Sequence, residues 1–202
     1  KRLILFDIDG TLLSADGAPR RAFTRAMLEV YGTTGPIATH RFDGKTDPQI
    51  ARELLTLAGL ADDTIDAGLP GLWAVYLREL EGELAQPTHR THVYPGVREL
   101  LHVLEARTGD AVLGLLTGNI RPGAALKLRS AAIHTNFRIG AFGSDCERRD
   151  GLPHGQDQVA RLLPARSLRS IEVEAGSTIS ARRAVAVHIG SCTTIVSGRV
   201  HA

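Results

Sequence analysis

Hydrophobic and polar positions follow two different rhythms along this chain. Residues 3–6 are continuously apolar, Leu-Ile-Leu-Phe, and run into Asp7, Ile8, Asp9 and Gly10. That pattern predicts a buried strand over about residues 2–8 that ends at a turn. A long stretch with helical spacing follows. Ala22, Phe23, Ala26, Met27, Val30 and Tyr31 recur at i, i+3, i+4, i+7 and i+8, and Ile50, Leu54, Leu55 and Leu57 begin a second helix that ends near Gly59. Trp73, Val75, Tyr76, Leu77, Leu80 and Leu84 continue in the same manner. These helices are expected to form one compact insert over residues 15–92, before the chain returns at Tyr94-Pro95-Gly96.

From Val97 the rhythm becomes helix–strand alternation. VRELLHVLEA reads as a helix, AVLGLLT as a buried strand, RPGAALKLRSAA as a helix and FRIGAFG as a short strand. Such alternation predicts an α/β fold, a parallel sheet with helices on both faces. The expected division is a core of residues 1–14 and 93–202 with a helical domain of residues 15–92 inserted into it. In parallel sheets ligands bind beyond the carboxyl ends of the strands. Asp7 and Thr117 both fall at such ends, so two segments more than a hundred residues apart are expected to converge on one site.

Composition narrows the class only modestly. The chain has 202 residues, 43% of them hydrophobic, and a formal charge of +2, which suits one sizeable core with a small inserted domain. The arginines are scattered, so a nucleic-acid partner is not expected. No apolar run approaches the roughly 18 residues of a membrane helix, and the N-terminal run is too short for a signal peptide. Cys146 and Cys192 lack metal-ligand spacing, and the eight histidines form no HxH or HxxxH pair. Free thiols, a cytoplasmic location and no metal–histidine site are the expectations.

The chemistry concentrates in Asp7-Ile8-Asp9-Gly10-Thr11. Two carboxylates so close are costly unless a cation or proton lies between them. Asp-Gly alone is a turn signal. Following a buried strand, the whole string points to a carboxylate nucleophile, Asp7, beside a second acid, Asp9, that handles protons, with a hard divalent metal offsetting the charge.

At this point the chain resembles the haloacid dehalogenase superfamily, whose members are mostly phosphatases and open with hhhhDxDGT. LGLLTGN at residues 113–119 is similar to the superfamily's second motif, and the helix carrying Lys127 to its third. The wording FDIDGTLL, GKTDPQI, YPGV, LLTGN, KL and GAFGSD is most similar to phosphoglycolate-phosphatase-like hydrolases with a small helical cap. The resemblance covers about residues 1–160 and implies a Rossmann-like core. It implies Mg2+ held by the Asp7 side chain and the Asp9 carbonyl, phosphate bound by Thr117, Gly118 and Asn119, and Lys127 as the cation near the transferring phosphate. The chain has only three lysines, at positions 1, 45 and 127, so no other lysine in its second half can take that role. Read without the resemblance, Thr-Gly-Asn is a turn and Lys127 a solvated helical lysine.

In GKTDPQI, Thr46 or Asp47 is expected to cap the following helix, and the resemblance, in which this loop closes over the substrate, implies that Lys45 meets a distal anionic group. The superfamily's fourth motif, a Gly-Asp with a further Asp, has no counterpart after Lys127. Ser177 in SIEVEAGST stands where its first Asp would be, the segment is short for the usual strand, helix and strand, and Glu174 or Asp145 are the acids that would substitute. ARRAVAVHIGSCTT then resembles the usual last strand and loop. The implied activity is a Mg2+-dependent phosphatase acting on a small phosphorylated metabolite as a monomer or homodimer. A phosphonatase using Lys45, a phosphomutase, or a catalytically silent phosphate-binding relative are the alternatives.

Overall fold

In the computed structural model, residues 2–106, 111–147, 170–173 and 196–198 are described. The N-terminal strand β1 (Arg2–Phe6) lies in a five-stranded sheet with β4 (Ala111–Thr117), β5 (Ile139–Phe142), β6 (Ser170–Val173) and β7 (Val196–Gly198), in the order β5-β4-β1-β6-β7. All neighbouring pairs are parallel except β6 with β7. Register runs from Arg2↔Ala111 to Phe6↔Leu115, so the residues after β1 and β4 emerge at the same edge. Helices α4 (Val97–Glu105) and α5 (Arg121–Ser130) connect the parallel strands, and a one-turn 3-10 helix, His134–Asn136, leads into β5. Phe6, Ile8, Leu101, Leu113, Leu115, Leu128, Ile133 and Phe142 make the buried cluster of this region.

Between the first strand and α4 lie α1 (Ala18–Tyr31), α2 (Asp47–Leu57) and α3 (Asp62–Leu84). Their apolar stripes meet in a second cluster that includes Phe23, Met27, Ile50, Leu54, Leu72 and Tyr76. Phe23 packs edge-on to Tyr76 with ring centroids 5.4 Å apart, and 6.2 Å from both Trp73 and Phe42. Two short strands, β2 (Leu13–Ser14) and β3 (His92–Val93), pair antiparallel where the chain leaves the sheet and returns to it. A two-residue strand has no readable periodicity, so this ribbon is invisible in the sequence pattern.

Helix α3 starts well before Trp73, where its apolar pattern becomes clear, and it contains Pro70. Tertiary contacts override the poor local propensity. Ile65 and Leu72 are fully buried. Tyr31 lays its ring against Gly68, where an added Cβ would come within 2.5 Å of it, and donates its hydroxyl to the Ile65 carbonyl at 2.7 Å. Among the described residues no helix is long and apolar enough to cross a membrane.

Candidate active site

After Phe6 the backbone turns sharply. The N–H groups of Leu12 and Leu13 both reach the Ile8 carbonyl, at 2.9 and 3.1 Å, and Gly10 adopts φ +76, a conformation that glycine tolerates without strain. Asp7 is thereby buried at the strand end, its Oδ1 accepting the Ile8 N–H at 2.8 Å. Asp9 lies beyond it, with 46% of its side chain exposed.

Beta-strand β4 ends at Thr117 and delivers Gly118, Asn119 and Ile120 to the same edge. Asn119 donates its amide to Asp9 Oδ2 at 2.7 Å and to Thr117 Oγ1 at 2.8 Å. Lys127, only 2% exposed, reaches in from α5. Its ammonium donates to both Asp9 oxygens, at 2.9 and 2.8 Å, and to Asn119 Oδ1 at 2.6 Å. Three acceptor oxygens, two of them sharing the Asp9 charge, offset the cost of burying an ammonium group.

A third segment closes over these groups. The loop before α2 brings the Asp47 N–H to the Gly118 carbonyl at 2.8 Å and the Asp47 carboxylate to the Ile120 N–H, also at 2.8 Å. Thr46 accepts the Gln49 N–H at 3.1 Å and so caps α2, while its hydroxyl donates to the Glu147 carbonyl. The Gly143 N–H meets the Asn119 carbonyl at 2.8 Å. These loops touch so closely that a Cβ at Gly118 would stand 2.2 Å from the Lys45 carbonyl oxygen.

The cleft these segments line has a volume of about 740 Å³ and is open to solvent on one side. Asp7, Asp9, Gly118, Asn119 and Lys127 line one side, and Arg20, Phe23, Phe42, Lys45, Asp47 and Tyr76 the other. The exposure that Asp47 retains is therefore toward the cavity. Burial pushes its carboxyl up to about 6, against the pull of Lys127 and the Ile120 N–H, with Asp9 adding to the rise. Burial, reinforced by Asp47 and Asp9, likewise holds the Tyr76 phenol well above its ordinary range.

The model of the haloacid dehalogenase-like hydrolase family matches residues 4–179. The chain belongs to that family. No curated protein matches it in sequence. Among solved structures, a haloacid dehalogenase-like hydrolase from Bacteroides fragilis is 18% identical, covering 87% of this chain and 78% of its own, with a TM-score of 0.61. CbbY from Rhodobacter sphaeroides, solved in complex with phosphate, is 19% identical over 86% of this chain and 77% of its own, with a TM-score of 0.52. A structure described as a phosphoglycolate phosphatase from Haemophilus somnus is 19% identical over 71% of this chain, with a TM-score of 0.49; the chain spans 63% of that protein's length. At these identities the likeness is one of fold.

Of the residues singled out in this haloacid dehalogenase-like chain, Asp7, Asp9, Gly118, Asn119, Lys127 and Lys45 line this cavity. Thr117 does not. It is fully buried, and its hydroxyl faces Asn119. Lys45 Nζ contacts Glu53 and lies 3.2 Å from His40 Nε2. Burial raises the Glu53 carboxyl, but Lys45, Gln49 and His40 together outweigh it and hold the group below its ordinary value. Asp145 turns into its own loop, accepting the Phe142 N–H at 3.0 Å with Arg121 3.6 Å away. Glu174, Ser177 and the segment 181–194 lie outside the described residues.

Hard oxygens are the right donors for Mg2+, which binds proteins through one or two carboxylates and fills its remaining positions with water and substrate phosphate. The Asp7 carboxylate and the Asp9 carbonyl belong to residues at the cavity wall and fit that pattern. Among the described residues no group of three or more acidic, histidine or cysteine side chains is placed to hold a metal.

Tyr76, Phe23, Phe42 and Arg20 were not marked as site residues by sequence. The aromatic side chains belong to the insert's apolar stripes and read there as core. Asp47 had a better signal. Thr46-x-x-Gln49 has the sequence form of a capping box, of which the Thr46 half forms while the Gln49 amide turns to Glu53; the cap falls to Thr46 and leaves the Asp47 carboxylate free for a distant partner.

Proposed function

We propose that the chain is a Mg2+-dependent phosphatase that hydrolyses a small phosphate monoester through an aspartyl-phosphate. One observation carries this reading: Asp7 and Asp9 from the turn after β1, Asn119 from the loop after β4 and Lys127 from α5 meet at one cavity wall.

Phosphoryl transfer asks mainly for positioning and charge neutralisation. An Asp7 carboxylate oxygen attacks phosphorus and the bond to the ester oxygen breaks, that oxygen taking a proton from Asp9 as the alcohol leaves. Water then attacks the aspartyl-phosphate, giving its proton to Asp9, and the bond to Asp7 breaks to release inorganic phosphate and restore the carboxylate. Lys127 and Asn119 hold Asp9 in place through both steps and keep a positive charge beside the transferring group. Gly118, at the cavity wall, presents backbone to the phosphate, and its missing side chain makes room for the loop of residues 45–46. Mg2+, held by Asp7 and the Asp9 carbonyl, would supply charge neutralisation for the phosphate oxygens.

The contact between Lys45 and Glu53 weighs against a Schiff-base phosphonatase, because the amine would first have to leave that partner. Hydrolysis of p-nitrophenyl phosphate, with and without Mg2+, tests the reading in wild type and Asp7→Asn. Metal-dependent turnover lost by at least about a thousandfold in the variant is expected. Equal turnover in both proteins would remove Asp7 as nucleophile. Phosphate binding without turnover in wild type would instead make the chain a silent relative.

A further inference from the structure

We propose that Asp47 is a positioning residue for the phosphate-binding loop 117–120, setting the direction of that loop's peptide groups from the inserted helical segment. The proposal rests on the phosphatase reading for its purpose, but its geometry does not depend on it.

Asp47 grips the loop at two points. Its backbone N–H holds the Gly118 carbonyl and its carboxylate holds the Ile120 N–H, each at 2.8 Å. The carbonyl and the N–H of one planar peptide point in opposite directions. Tying the Gly118 carbonyl to Asp47 therefore aims the Asn119 N–H the other way, toward the Thr117 hydroxyl, 3.4 Å distant. The Asn119 carbonyl is in turn fixed on the Gly143 N–H, which leaves the Ile120 N–H directed at Asp47. Two successive peptide planes are thus set by contacts from Asp47, Gly143 and Thr117.

The residue type suits the task. Thr46 caps α2, so the Asp47 carboxylate is not consumed by its own helix. Ile120 is the N-cap residue of α5, and a negative charge there meets the positive end of that helix. Lys127 of the same helix attracts it further. Gly118 permits the approach, since any side chain would run into the backbone of residue 45. Because Asp47 sits on the insert and Ile120 follows a sheet strand, two of the loop's four fixing contacts come from the insert and two, from Thr117 and Gly143, from the sheet side.

The deciding experiment combines amide hydrogen exchange over residues 117–120 with inhibition of p-nitrophenyl phosphate hydrolysis by inorganic phosphate, in wild type, Asp47→Ala and Asp47→Asn. Loss of the Ile120 acceptor in Asp47→Ala is expected to speed Ile120 exchange and raise the phosphate inhibition constant by about tenfold each, with unchanged far-UV dichroism. Asp47→Asn keeps an acceptor oxygen and is expected to restore both to within about twofold. Unchanged exchange and inhibition in Asp47→Ala would overturn the proposal, as would an Asn variant no better than Ala. Should Asp47→Ala fail to fold, Asp47→Glu, which displaces the acceptor by one methylene, is expected to show the same two losses, and wild-type values there would overturn the proposal. If wild type neither hydrolyses the ester nor binds phosphate, the phosphatase reading falls, and exchange at Ile120 still decides the role of Asp47.

Discussion

A carboxylate kept from bulk water and facing a second acid carries a cost that depends on pH. The Asp47 carboxyl rises from an ordinary 3.8 to about 6 in the folded chain. Between those values the folded state holds a proton that the unfolded state has released, so stability falls as pH rises through the window. Above pH 6 the ionised group costs about 3 kcal/mol relative to its exposed counterpart. Asp47→Asn removes that charge and keeps an acceptor for Ile120. Urea denaturation curves of wild type and Asp47→Asn should therefore coincide near pH 4 and separate above pH 6, with the Asn variant the more stable; a constant gap across that range would mean the carboxyl does not titrate there. At this scale the sequence was legible where chemistry makes a short local string. Asp7 and Asp9 stand out because paired acids after an apolar run are expensive. Asp47 does not, because its value comes from an amide 73 positions away.

Among the elements, strands β1 and β4 and helices α1, α2, α4 and α5 were legible because each carries its own periodicity. The start of α3 was hidden, since Gly68, Pro70 and Gly71 weaken the local signal and contacts from Tyr31 replace it. Loop contacts between elements are equally silent in sequence. A Cβ at Gly143 would lie 2.0 Å from the Gly118 carbonyl oxygen and 3.0 Å from Thr46 Cβ. Backbone cannot yield there as a flexible side chain would, so Gly143→Ala must push the 117–120 loop away from β5. A loss of about 1–3 kcal/mol in urea denaturation is expected, together with a raised phosphate inhibition constant. Unaltered stability and inhibition would show that the loops can separate at no cost. The place where a fourth acidic motif is expected belongs to this scale too. Strand β6 pairs with β1 through Arg2↔Ser170 and Leu3↔Ile171, and the candidate acid and serine follow directly after it in the chain.

For the molecule as a whole, the open question is what joins the helical insert to the sheet. Ion pairs such as Arg25 with Glu79 and Arg78 with Glu29 link α1 to α3 at exposed positions, and contribute little to either region. Apolar contact is the stronger candidate. Ile120, which follows a sheet strand, is buried in the insert's own cluster beside Tyr76 and Leu80, and Leu84 packs against both clusters. Gly123 brings α5 close enough to α3 that an added Cβ would sit 3.5 Å from the Tyr76 ring. Such a bridge should make the two regions unfold together. Trp73 is the only tryptophan in the chain and lies in α3, so its fluorescence reports the insert, whereas far-UV dichroism reports all helices. In wild type the two urea transitions should coincide. Ile120→Ala removes a buried side chain at a cost of about 2–5 kcal/mol. Because that side chain belongs to the insert's cluster, the fluorescence midpoint should fall further than the dichroism midpoint, splitting one transition into two. Equal displacement of both midpoints would mean that other contacts carry the coupling, and no displacement would mean that Ile120 carries none of it.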